Sequence, residues 1–211
     1  QLLTKKNEQL KKFAGTVSHD MKMPLANMIV TTDILRAKYA PKLDEQGIDY
    51  LSYLKQSSFS LSDYIDNLLS YYESEELQVK NLEKFDLHHL LEEIIDLLKI
   101  SEDYIINLPE SGNELNSSKS AVQQILLNLI TNSLKYNDKD TGIITINCVE
   151  DHAYYYIQIN DNGKGIAADK LDSIFDLFSI ASETDNKGKK GNGIGLSTVR
   201  NLVHSLGGII S

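Results

Sequence analysis

The chain has 211 residues, 41% hydrophobic and 24% charged, with a net charge of −9 and a single cysteine, Cys148. That is enough for one large or two small soluble domains. With no basic tract, no run of about 18 apolar residues and no cysteine pair, it speaks against nucleic-acid binding, a membrane span and an internal disulfide. Residues 1 to about 39 read as one long helix with a stripe at Leu10, Ala14, Val17, Met21, Leu25, Met28, Thr32 and Leu35. Pro24 should bend it, because proline removes a helical N–H and clashes with the carbonyl four residues back. Ala40-Pro41 ends this helix, and Asp44 should cap a second one running to about Leu77. There Leu51, Leu54, Ser58, Leu61, Ile65, Leu68 and Tyr72 form a heptad-like seam. A lone hairpin buries too little surface, so two copies pairing into a four-helix bundle is expected.

The pattern changes from Phe85. Leu87 to Ile100 reads as an amphipathic helix, Tyr104 to Leu108 as a short strand, and Ser111-Gly112-Asn113 as a turn. Ser118 to Tyr136 is a predicted helix burying Val122, Ile125, Leu126, Leu129 and Ile130. Ile143 to Val149 and Tyr154 to Asn160 are predicted strands. A last helix, Leu196 to Leu206, stops at Gly207-Gly208, and Ile209-Ile210-Ser211 resembles the start of a strand. Strands and helices mixed in this order predict an α+β layer domain.

Chemistry concentrates in five places. His19 lies off the apolar stripe, next to Asp20 and just before the Pro24 bend, which suits an exposed nucleophile. Asn128 and Asn132 share a helix face, with Lys135 three residues on; two amide oxygens and a cation suit Mg²⁺ and phosphates. Asparagine is a poor helix former, so two inside a helix need a reason. Asp161-Asn162-Gly163-Lys164-Gly165-Ile166 follows a strand, where a carboxylate can accept from an amino group such as that of adenine. Phe175 and Phe178 stand three apart, a spacing that suits packing beneath a loop. Gly188, Gly191, Gly193 and Gly195 lead straight into a helix N-terminus, an anion site. Lys187, Lys189 and Lys190 before it either attend phosphates or are solvated charges.

Together and in this order, the five patterns resemble the H, N, G1, F and G2 boxes of the sensor histidine kinases of two-component signalling, over essentially all of the chain. The resemblance implies the fold: a helical hairpin, residues 1–78, forming a dimeric four-helix bundle, then an α/β sandwich ATP-binding domain of Bergerat type, residues 79–211. It implies an ATP-dependent autokinase, with His19 as phosphoacceptor and Asp20 as general base. Asn128 matches the Mg²⁺ ligand, Asn132 and Lys135 the phosphate contacts, Tyr136 the residue against adenine, and Asp161 the one binding its exocyclic amino group. Gly163, Gly165, Ile166, Phe178, Gly191, Gly193, Ile194, Gly195 and Leu196 match the nucleotide loops, and 179–192 the ATP lid. The implied partners are a second copy of the chain and the receiver domain of a response regulator. The fragment reads as cytoplasmic, cut from a longer protein with room for a membrane or sensor segment before Gln1. The chain departs from the family pattern at Leu177, often proline, at Met23, often Thr or Asn, and at Ser211, beyond which further strand is expected. A hydrolysing ATPase of the same sandwich fold and a non-catalytic dimeric scaffold are the rivals. Gln124, four before Asn128, stands where such an ATPase would place its acid.

Overall fold

The computed structural model describes residues 2–73, 82–180, 184–186 and 191–211, with side chains from Ala14 onward in the first helix and not at Asn67 or 70–73. The chain divides into two compact units, Gln1–Glu73 and Ser74–Ser211. The expected boundary at 78/79, the stripe side chains Leu10 and Tyr72, and Lys187, Gly188, Lys189 and Lys190 lie outside the described residues.

The first unit is a hairpin. Helix α1 (Leu2–Tyr39) passes through Pro24 as one helix, so the Asp20 carbonyl loses its ladder donor there. A 3₁₀ turn over Ala40–Lys42 leads to α2 (Glu45–Glu73), whose third N–H, from Gly47, donates to Asp44 Oδ1 at 2.8 Å. The buried line of α1 is Ala14, Ser18, Leu25 and Thr32, and that of α2 is Ser58 and Ile65. Ala14, Leu25 and Thr32 lie on the predicted stripe of α1; Ser18 is buried in place of Val17, and Met21, Met28 and Leu35 of that stripe are exposed within the single chain. Small and hydroxylated side chains face the other helix because their hydroxyls bond to their own backbone. Thr32 Oγ1 donates to the Ile29 carbonyl at 2.7 Å and Ser58 Oγ to that of Leu54 at 2.9 Å. The α2 seam splits in the same way. Leu54 (58%) and Leu61 (41%) are exposed within the single chain, one turn before the buried Ser58 and between Ser58 and Ile65. Ion pairs Lys22–Asp66 and Lys55–Asp33 join the two helices.

The second unit is an α/β sandwich. Strand β1 (Glu83–Asp86) pairs antiparallel with β3 (Glu114–Ser117). β2 (Tyr104–Asn107) runs parallel to β4 (Gly142–Glu150), which pairs antiparallel with β5 (Tyr155–Asp161). Helices α3 (Leu87–Leu98) and α4 (Lys119–Tyr136) bury Leu87, Leu90, Leu91, Ile94, Val122, Leu126 and Ile130 in one cluster with Ile144 and Ile146 of β4. Each fully buried leucine or isoleucine contributes about 1.5–3 kcal/mol. Asp86 caps α3: Oδ1 accepts from His89 N–H at 3.0 Å and Oδ2 from Gly112 N–H at 2.9 Å. Ser118 caps α4. Helix α5 (Gly195–Ser205) packs on α4. Residues 209–211 are not strand here, contrary to the expectation, and Ile209 is exposed.

Candidate functional site

Two constellations carry the candidate chemistry, one in each unit. In the hairpin, His19 is 82% exposed and Asp20 70% exposed, and His19 Nδ1 lies 3.3 Å from Asp20 Oδ1. An ionised carboxylate only accepts, so this contact requires the imidazole proton on Nδ1. In a neutral imidazole of that tautomer, Nε2 would carry the free lone pair.

In the sandwich, α4 organises the site and successive turns touch different elements. Asn128 and Asn132 are half-buried, and their amides have no hydrogen-bond partner among the described residues. They face the start of α5: a Cβ added at Gly195 would lie 3.8 Å from Asn128 Oδ1 and 3.9 Å from Asn132 Nδ2. Ile194 precedes α5 without any side-chain cap, so the N–H groups of the first turn stay available to an anion. Asn128 offers an amide oxygen, a hard donor of the kind Mg²⁺ takes, beside that N-terminus. The residues therefore fit a magnesium–phosphate group.

Directly after Asn132, Ser133 Oγ donates to Asp161 Oδ2 at 3.0 Å, and the Gly163 N–H donates to Asp161 Oδ1 at 2.9 Å. Gly163 admits no side chain, since a Cβ would sit 2.9 Å from Asp161 Oδ1 and 3.3 Å from Asn137 Cα. At the C-terminal end of α4, Lys135 is exposed and the Tyr136 hydroxyl lies against Gly191. Burial, and then the charge of Asp185, push the Tyr136 phenol above its ordinary range. Asn186 ties its segment to the same end, with its N–H on the Lys135 carbonyl at 2.8 Å and its amide on the Leu134 carbonyl at 3.0 Å.

Phe175 and Phe178 do not form the core pair that their spacing suggested. Residues 171–178 are turns rather than helix, so positions three apart share no face, and Phe178 is 50% exposed. Phe178 acts through its backbone: it has φ 66°, and its N–H donates to the Gly193 carbonyl at 2.8 Å. Gly193 itself has φ 65° and packs against Phe178. Arg200 of α5 pairs with Asp176 at 3.2 Å, holding this turn to the helix. Ile194 is buried, Leu196 half-buried, and Ile166 exposed beside Gly165.

Sequence reasoning missed three side chains that shape this site. Besides Ser133, the buried Asn137 donates to Asn162 Oδ1 at 2.8 Å, and the Ile143 N–H donates to the same oxygen at 2.8 Å. Asn162 in turn donates to the Thr141 carbonyl at 3.1 Å. This asparagine pair joins the end of α4 to the loop after β5. Its only sequence signal is one asparagine just past Tyr136 and another inside the Asp161–Ile166 motif.

Residues 9–77 match the family model of the His Kinase A (phospho-acceptor) domain, and residues 117–211 that of the histidine kinase-, DNA gyrase B- and HSP90-like ATPase. The chain belongs to the sensor histidine kinases. The chain is 31% identical over 94% of its length to sensor histidine kinase RcsC of Escherichia coli, of which it covers 21%. It is 28% identical over 97% of its length to hybrid signal transduction histidine kinase A of Dictyostelium discoideum, of which it covers 10%. It thus spans only a small part of these relatives. Among solved structures, it resembles full-length ShkA in complex with AMPPNP, with a TM-score of 0.69 and 21% identity over 93% of this chain and 41% of that one. No described helix is long and apolar enough to cross a membrane.

Proposed function

We propose that this chain is an ATP-dependent protein-histidine autokinase: it phosphorylates His19, and the phosphoryl group passes to an aspartate of a response regulator. The observation that carries the reading is the exposed His19 imidazole, fixed by Asp20 at 3.3 Å, in the same chain as the Asn128–Asn132–Gly195 cradle. Asp20 accepts the Nδ1–H of His19, orients the ring, and takes that proton as Nε2 becomes phosphorylated. The Nε2 lone pair attacks the γ-phosphorus of ATP, and the bond to the bridging oxygen of ADP breaks. Phosphoryl transfer of this kind is mostly positioning and charge stabilisation. Asn128 would hold Mg²⁺ through its amide oxygen, and the ion would neutralise charge on the phosphates. Asn132, Lys135 and the N–H groups of the first α5 turn bind and orient the phosphate chain. Tyr136 lies against adenine, and Asp161 accepts its exocyclic amino group. Two copies pair through the exposed leucines of α2.

Incubation with ATP labelled at the γ-phosphate tests this. The expected product is acid-labile, base-stable label on the parent chain and none on His19→Gln, which still binds ADP. Asp20→Asn should slow labelling by roughly 10²- to 10⁴-fold. Free phosphate without labelled protein would identify an ATPase instead, and label retained on His19→Gln would remove His19 as the acceptor.

A further inference from the structure

We propose that Ser133 is a positioning residue for base recognition: its hydroxyl holds the Asp161 carboxylate in the orientation that accepts an exocyclic amino group of adenine. This rests on the reading of Asp161 as the base-binding group. Serine inside a helix ordinarily folds back onto a carbonyl of its own preceding turn, as Ser52 and Ser58 do in α2. Ser133 instead reaches out of α4 to the end of β5, donating to Asp161 Oδ2 at 3.0 Å. The Gly163 N–H holds Oδ1 at 2.9 Å from the opposite side of the carboxylate. Each oxygen therefore has one fixed donor, from two different elements.

That matters because the terminal torsion of a free aspartate is broad. One donor leaves the carboxylate swivelling about the bonded oxygen, whereas two fix its plane. An ionised carboxylate has about four acceptor sites, so two remain, pointing in set directions, after both contacts are made. A ligand N–H meets an acceptor already aimed. A base with an oxygen in place of the amino group meets two lone pairs face to face. Ser133 thereby supplies discrimination without itself touching the ligand. Alanine at this position leaves Oδ2 to water and returns the swivel.

A purely structural tie between α4 and β5 would weaken every nucleotide alike, so the readout is a ratio. Equilibrium dissociation constants for ADP and IDP, which carries a 6-oxo group in place of the 6-amino group, are measured on the parent, Ser133→Ala, Ser133→Thr and Asp161→Asn. The parent prefers ADP. Ser133→Ala loses that preference by roughly five- to tenfold, the scale of one hydrogen bond, through weaker ADP binding at unchanged IDP binding. Ser133→Thr, which keeps the hydroxyl, restores it. In the Asp161→Asn background, Ser133→Ala has no further effect on the ratio. An unchanged ratio in Ser133→Ala, or equal weakening of both ligands, overturns the positioning role. If instead the parent shows no preference, or Asp161→Asn keeps it, the base-binding role of Asp161 itself fails, and this inference with it.

Discussion

Adding one methyl group at Gly193 or at Gly165 separates two reasons for a glycine. Both have left-handed backbones, φ 65° and φ 71°. A side chain in that region costs about 1–2 kcal/mol. At Gly165 nothing lies within 4 Å of an added Cβ, so the backbone cost is the whole effect. At Gly193 the same atom would sit 2.5 Å from the Phe178 carbonyl carbon and 2.6 Å from the Ser179 oxygen. These are backbone atoms and cannot rotate aside. Relief means separating the two segments and losing the 2.8 Å bond between Phe178 N–H and the Gly193 carbonyl, a further ~0.5–1.5 kcal/mol. Gly193→Ala should therefore cost roughly 1.5–3.5 kcal/mol in all. For a unit of this size the melting midpoint falls about 4 °C per kcal/mol, so the two variants should lose roughly 6–14 °C and 4–8 °C. Gly193→Ala should also weaken ADP binding at least about tenfold, because Gly193 lies two residues before the start of α5. Thermal melting followed by circular dichroism, with ADP titration, checks both. Equal losses in the two variants, or normal ADP binding in Gly193→Ala, would refute the reasoning.

Two further outcomes follow from packing and charge. Leu61→Glu should leave the helix content of the hairpin unchanged, because Leu61 is exposed within one chain, yet convert a dimer to a monomer in sedimentation equilibrium; an unchanged dimer would place the interface elsewhere. Asp86→Ala should cost about 1 kcal/mol at neutral pH, as for other caps. The hydrogen bond from the His89 backbone is the main cause holding the Asp86 carboxyl below its ordinary value. A lowered folded-state value means that this stabilisation is complete above about pH 4, the unfolded value, and lost as pH falls below it. Denaturation curves of parent and variant should therefore converge at low pH, and a gap that persists there would exclude the carboxylate as its source.

Elements with a long uninterrupted pattern were legible in the sequence. α4 was legible because Ser118 caps it and Val122, Leu126 and Ile130 keep one spacing; β4 and β5 because they alternate over seven residues or more. β1 and β3 were not, since each has four residues and places a single side chain, Phe85 or Leu115, in the core. Two charged or polar tetrapeptides become strands only through each other. On α1 the stripe took in Ala14, Leu25 and Thr32 but passed over Ser18, which looks like surface until close helix contact makes small size worth more than apolarity. At the site, single residues such as His19, Asn128 and Asp161 stood out because their types are unusual for their elements. Ser133, Asn137 and Asn162 did not, because their roles are pairwise across 25 residues or more of chain.

The tie made by Asn186 has an energetic consequence of its own. It engages the carbonyls of Leu134 and Lys135, in the last turn of α4, where every helix leaves acceptors without partners. Lys135 and Asn186 are both exposed, so water can take over each bond as it breaks. Each of these two bonds is thus worth about 0.5–1.5 kcal/mol net, a size that one further contact at this end of α4, such as one from a bound nucleotide, can match.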